Sequence, residues 1–494
     1  MDASSPRNFE DLQKPLEQFR AKTRHLKIHP LELALLWIVG AQLVFMPWAI
    51  GGMRVWSHWI GFALALTAFV VSLLPRNYSE EHTGANRFRL IMPPKLLRFP
   101  LFWIGLLLLG LITIQALNPA WEYMLVGGRW WMQRIDYVEW LPSGVRVPFA
   151  RWGPWRMLLI YSAIWLAVCA VWVGLTRRRS VQVLVAVIAA NGLALSALGV
   201  VQRLLPNGKM FWFWEPPISS FFASFVYKNH AGSYLFLALT ATCGLASWFY
   251  LRGLRRLEKS NPSGVFAFFA TFIGVSILVS YARGMTLVTL VYLCACVGFF
   301  IVHQLVVAKE QRKPVVAVAL ILIFGYFLKT GLEALNSHEA WTRLQKGVTD
   351  QDRSITGRVE VTKASAEMLG DTWKLGVGAG SYQFLFTVYQ DRHPELQGGL
   401  WEHAHNDLLE FPIELGVPGM LLIFAAGGYL ALRLVRSYFW ENPLSSCVIF
   451  GAGLLVVYAW WDFPFANPAI LLTWCVLCIA ATMWATFEEQ HAKG

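Results

Sequence analysis

Charge is scarce in this chain: 15% of its 494 residues are Asp, Glu, Lys or Arg, against 56% hydrophobic, and the mean hydropathy is +0.47. So little charge excludes a soluble domain of ordinary make-up and points to an all-α polytopic membrane protein. Cysteine is both sparse and confined. All seven (Cys169, Cys243, Cys294, Cys296, Cys447, Cys475 and Cys478) lie inside apolar runs, which excludes a disulfide framework or a cysteine metal site and leaves them as small buried apolar residues. The stretch GVGAGS, Gly376 to Ser381, lacks the Gly-Lys-Ser/Thr ending of a phosphate loop. It reads as a tight turn whose backbone N–H groups help close a site. Internal repeats and low-complexity tracts are missing. Residues 1–30 are polar and basic, without an apolar core and cleavage site, so they are read as a cytosolic tail and not as a cleaved signal peptide.

What the chain has in abundance is long apolar runs. At about 20 residues per crossing, the runs 31–50, 55–74, 100–117, 157–175, 181–201, 230–251, 265–281, 285–307, 315–328, 418–434, 446–461 and 469–487 predict about 12 transmembrane helices. Basic clusters follow the second, fourth, sixth, eighth and tenth runs, as expected if both termini are cytosolic and every run crosses. The net charge of +12 resides largely in these clusters, which orient helices, so no nucleic-acid partner is expected. The resulting division is a tail (1–30), helices one to nine (31–331), a large helical loop on the far side (332–417), helices ten to twelve (418–487) and a second cytosolic tail (488–494).

The loop is the one long run polar enough to do chemistry. Within it, Arg358 lies near the start of a predicted helix, and His403, His405, Asn406 and Asp407 precede the amphipathic run LLEFPIELG. That placement predicts a helix N-terminus at the interface, with a histidine suited to accept a proton near neutral pH, or else a simple Asn or Asp cap. His403, His405 and Asp407 carry metal-ligating groups, but they lack a further ligand at a familiar spacing. Arg283, in the tight turn SYARGMT, is either a snorkelling anchor or a fixed cation for an anionic lipid head group. Asp462, in WWDFPFANP, is an acidic group near a helix end, either functional or a turn cap. Trp341, Trp373, Tyr382, Tyr389 and Trp401 are candidates to stack on sugars or to form an interfacial belt.

Four segments in order carry a resemblance: KNHAGSYLFLAL from Lys228, SYARGMTLVTL from Ser280, ITGRVEVTKASAEML followed by GVGAGSYQF, and EHAHNDLLEFPIELGVPG. Together they resemble the O-antigen ligase and polymerase superfamily of bacterial envelope enzymes, from about Ser219 to about Pro468. The resemblance implies a GT-C type membrane glycosyltransferase of the bacterial inner membrane, with its site on the periplasmic face. It implies an undecaprenyl-diphosphate-linked glycan donor, a lipid or glycan acceptor as in lipopolysaccharide assembly, and neither cofactor nor metal ion. By motif position, Arg283 and Arg358 would hold the diphosphate, and His405, with His403 as rival, would act at the acceptor. Lys228, Asn229, His403, Asn406 and Asp407 would line the substrate pocket. A glycan polymerase and a protein O-oligosaccharyltransferase share this donor chemistry and stand as alternatives. A transporter is the rival from another class, but charged residues are not gathered near the membrane midplane in two halves.

Overall fold

The computed structural model describes residues 27–83, 87–256, 260–306, 325, 353–396, 399 and 401–493. Among these, eight helices are long and apolar enough to cross a membrane, and three shorter apolar helices accompany them. They are α1 (Pro30–Trp48), α2 (Val55–Leu73), α3 (Pro100–Leu117), α4 (Pro154–Gly174), α5 (Arg178–Leu204), α6 (Lys228–Arg256), α7 (Ser263–Val279) and α8 (Arg283–Val306). Beyond α9 (Arg353–Thr372) and α10 (Tyr382–Gln390) come α11 (Asp407–Arg436), α12 (Pro443–Tyr458) and α13 (Pro468–Lys493). Eleven predicted runs are therefore helical, and the ninth, 315–328, lies outside the described residues apart from Gly325, as does Trp341.

Proline opens α1, α3, α4 and α12, where its missing N–H costs nothing. Small residues let the helices approach. A Cβ on Gly192 of α5 would lie 2.2 Å from Ala238 of α6, and one on Gly451 of α12 would lie 2.1 Å from Thr240. Helices α4 and α13 are the most enclosed of the long spans and α11 the least, so the bundle centre falls between the first two.

One end of the bundle is basic. Arg178 sits over Trp248 and Trp484, Arg252 over Trp248 and Arg433 over Trp172, so the clusters after the fourth, sixth and tenth runs meet on one face. There the fully buried Glu32 pairs with Arg76 at 3.2 Å and accepts from Thr176 N and Arg177 N. It ties α1 to the β1–β2 hairpin (Arg76–Tyr78 and Phe88–Leu90) and to the α4–α5 turn.

The other end carries a cap with its own core. The Asn118–Trp155 segment, which the all-α expectation leaves without strands, contains a small sheet of order β4–β3–β5: β3 (Pro119–Val126) antiparallel to β4 (Arg129–Arg134) and parallel to β5 (Gly144–Arg146). Gly127 and Gly128, at φ 58° and 78°, supply the two-residue turn that a hairpin of this twist requires. Tyr123 and Val145 of the sheet pack with Val361 and Met368 of α9, Phe384 and Phe386 of α10, and Ile413 of α11. The tenth predicted run, set to begin near Pro418, is the second half of α11. Its first half is the amphipathic segment from Asp407, and the two meet at a kink at Gly416 (φ 63°, ψ −171°).

Candidate active site

The first two turns of α11 present three buried carboxylates, and each holds a different neighbouring segment. Asp407 Oδ2 accepts from Phe465 N at 2.8 Å. Glu410 accepts from His403 Nδ1 at 2.7 Å and from Ala404 N at 2.8 Å. Glu414 accepts from Gly380 N at 2.8 Å and Tyr382 N at 3.0 Å. The turn Gly376–Ser381 is thus a nest of backbone N–H groups filled by the protein's own carboxyl group. Its glycines are required by geometry: Gly376, Gly378 and Gly380 have φ of 73°, 100° and 70°, and a Cβ on Gly376 would lie 2.3 Å from Glu414 O.

With these segments pinned, the turn between α12 and α13 lies beside the two histidines. Asp462 is buried there, accepting from Asn229 Nδ2 at 2.5 Å, Tyr458 Oη at 2.6 Å and its neighbour Phe463 N at 3.0 Å. Burial pushes its carboxyl up, but the adjacent His405 ring, the Arg358 guanidinium and the Tyr458 hydroxyl more than offset this and hold it below the usual carboxylate range. Arg358 of α9 donates to Tyr227 Oη at 2.9 Å and to Trp461 O at 3.2 Å. Burial opposes its charge, yet Asp462 and Tyr227 raise its pKa above the ordinary arginine value. Tyr227 Oη also accepts from Asn229 Nδ2 at 2.8 Å, so arginine, tyrosine, asparagine and aspartate form one chain of hydrogen bonds.

His405 lies beside this chain with Nδ1 3.8 Å from Asp462 Oδ1, an electrostatic contact too long for a hydrogen bond. Burial, and then Arg358, lower its pKa below the ordinary histidine value although Asp462 opposes them, so the neutral ring is favoured. Its backbone is left-handed at φ 51°, an unfavourable conformation for a non-glycine residue that packing must enforce. Trp401 and Phe463 meet the ring edge-on at 5.7 and 4.7 Å.

His403 has a different environment. Its ring stacks on Phe463 at 4.5 Å, and although burial lowers its pKa, Glu410 more than compensates and pushes it up to about 9. A histidine raised from 6.5 stabilises the fold fully below pH 6.5 and loses that contribution as pH rises through about 9. Thermal stability should therefore fall between pH 6.5 and 9. In Glu410→Gln that slope should flatten; an unchanged slope in differential scanning fluorimetry would show that the pair is not ionised.

Of the residues predicted from sequence, Arg358, His405 and Asn229 converge on Asp462. Arg283 opens α8, and its neighbour Gly284 packs against Tyr458 (a Cβ there would lie 2.6 Å from the ring), which places the Arg283 turn one side chain from Asp462. Lys228 begins α6 beside Asn229. Asn406 Oδ1 caps α11 through Leu409 N at 3.2 Å, and Asp407 holds Phe465 N, so both side chains serve local structure. Among the aromatic candidates, Tyr382 is buried with its hydroxyl on Ser365, Tyr389 bonds Asp371, and Trp373 is exposed. Sequence reading passed over Tyr227, Tyr458 and Phe463. The signal for Tyr227 was its position immediately before Lys228, at the head of a segment already singled out.

No curated protein matches the chain. The stretch containing Arg283, Arg358, His403 and His405, residues 266–424, matches the family model of the O-antigen ligase domain.

Proposed function

We propose that this multi-pass membrane protein is an O-antigen ligase-like glycosyltransferase that moves a glycan from undecaprenyl diphosphate to a lipid or glycan acceptor at the periplasmic face of the bacterial inner membrane. The observation that carries this reading is the meeting of Arg358 and His405 at the buried Asp462, next to the Arg283 turn and inside or beside the matched domain. A guanidinium remains charged and presents a planar fork to phosphate oxygens, which suits a leaving diphosphate better than a lysine would.

In the proposed reaction the acceptor hydroxyl attacks the anomeric carbon while the bond from that carbon to the diphosphate oxygen breaks. His405 takes the hydroxyl proton. With Nδ1 turned toward Asp462, Nε2 is the nitrogen left to receive it, and Asp462 stabilises the imidazolium that forms. The electron pair of the broken bond stays on undecaprenyl diphosphate, where Arg358 and Arg283 stabilise the developing charge. Attack opposite the leaving group inverts the anomeric configuration.

The test is a purified system with a defined undecaprenyl-diphosphate glycan, candidate acceptors and a chelator. Arg358→Ala and Arg283→Ala are each expected to lose about 10²–10³-fold in rate, with part of the loss recovered in Arg358→Lys. Transfer at the unmodified rate in both alanine variants would sink the proposal.

A further inference from the structure

A second cluster of ligating groups joins α9 to the segment that follows α10, with none of the residues that meet at Asp462 among its members. Glu360 of α9, His393 and Glu395 each bring one ligand atom to within 4.8 Å of the others. We propose that these three residues form a divalent-cation site of the zinc class, with a structural role.

The orientation of the histidine carries the proposal. His393 Nδ1 faces Glu360 Oε2 at 3.9 Å, while Nε2 lies 3.2 Å from Glu367 Oε1. A ligating imidazole commonly points one nitrogen at the metal and donates the other N–H to a carboxylate, which fixes its tautomer. Two ligands about 2.1 Å from a tetrahedral ion sit about 3.4 Å apart, so the 3.9 Å gap closes with a small side-chain movement. Lys363 does not block the site: it bonds Glu360 Oε1 and leaves Oε2 turned toward the ring. One nitrogen and two carboxylate oxygens, with water completing the shell, suit zinc better than calcium or magnesium, which favour all-oxygen shells.

The frame is rigid enough to hold such a site. Leu396, buried in the cap core with Val361, anchors the turn that carries His393 and Glu395. A bound ion would clamp α9, two residues beyond Arg358, to the connection that leads on to His403 and His405. Its place is structural and outside the proposed reaction, so loss of zinc binding leaves the transfer mechanism standing, and failure of that mechanism leaves the metal site standing.

The experiment uses full-length, tag-free protein in detergent, stripped with chelator and titrated with zinc chloride by calorimetry, with metal content measured by mass spectrometry. Expected are one saturable zinc per chain, a Tm raised by several degrees, and binding weakened at least tenfold in His393→Ala and in Glu395→Gln. Glu367→Gln should weaken it by about tenfold through the imidazole. Glu395 is exposed, so its variant keeps the fold even if His393→Ala does not. Zinc binding in the unmodified protein no tighter than in Glu395→Gln, or no saturable binding at all, would overturn the site.

Discussion

Replacing His405 with alanine is expected to slow glycan transfer about 10²–10⁴-fold at neutral pH, the usual contribution of a positioned general base. The same replacement at His403 should cost far less in rate and more in stability, because that ring is tied to Glu410 and stacked on Phe463. The pH profile distinguishes the two. His405 has its pKa lowered, first by burial and then by Arg358, so it stays neutral at pH 7 and the rate should drop only as pH falls below the ordinary histidine range. Asp462 favours the cation, so Asp462→Asn should lower that pKa further and move the acid limb to lower pH. Arg358→Ala removes a lowering influence and should move the limb upward. A rate that already drops as pH falls below about 9, following the pKa of His403, would transfer the role to that residue.

Glu414→Ala is expected to damage both stability and transfer, because one carboxylate holds the glycine turn by two backbone N–H groups. Leaving buried donors without an acceptor costs about 1–3 kcal/mol each. The turn abuts β5 and α4, since a Cβ on Gly378 would lie 2.6 Å from Gly144 and one on Gly380 2.9 Å from Gly153, so its release should loosen the cap against the bundle. Glu414→Gln keeps one acceptor and turns an amide donor toward the other N–H, so an intermediate loss is expected. Thermal unfolding followed by tryptophan fluorescence measures the first effect and the transfer assay the second. An alanine variant with unchanged Tm would mean that the turn holds itself.

The helices were legible because membrane burial imposes a coarse rule: about 20 apolar residues per crossing, with basic residues gathered at one end. Arg178, Arg252 and Arg433 meet the tryptophans of one face as that rule requires. The sheet in 119–146 escaped the all-α expectation because long apolar runs dominate the composition, although Gly127-Gly128 between two strand-like runs was a usable hairpin signal. The turn Gly376–Ser381 was recognised as a place for exposed N–H groups. That their acceptor is Glu414, which lies beyond the whole of α10, depends on a contact between separated segments.

By itself the sequence determined that this is a helical membrane protein, which polar stretch leaves the apolar bundle, and which arginines and histidines deserve notice, since composition and local spacing register solvent preference and side-chain chemistry. Only the tertiary structure separated His405 from His403, two residues apart with the same side chain. Their protonation depends on which carboxylate each one meets, Asp462 or Glu410, on how much burial and a nearby guanidinium weigh against it, and hence on how the α12–α13 turn and α11 pack together.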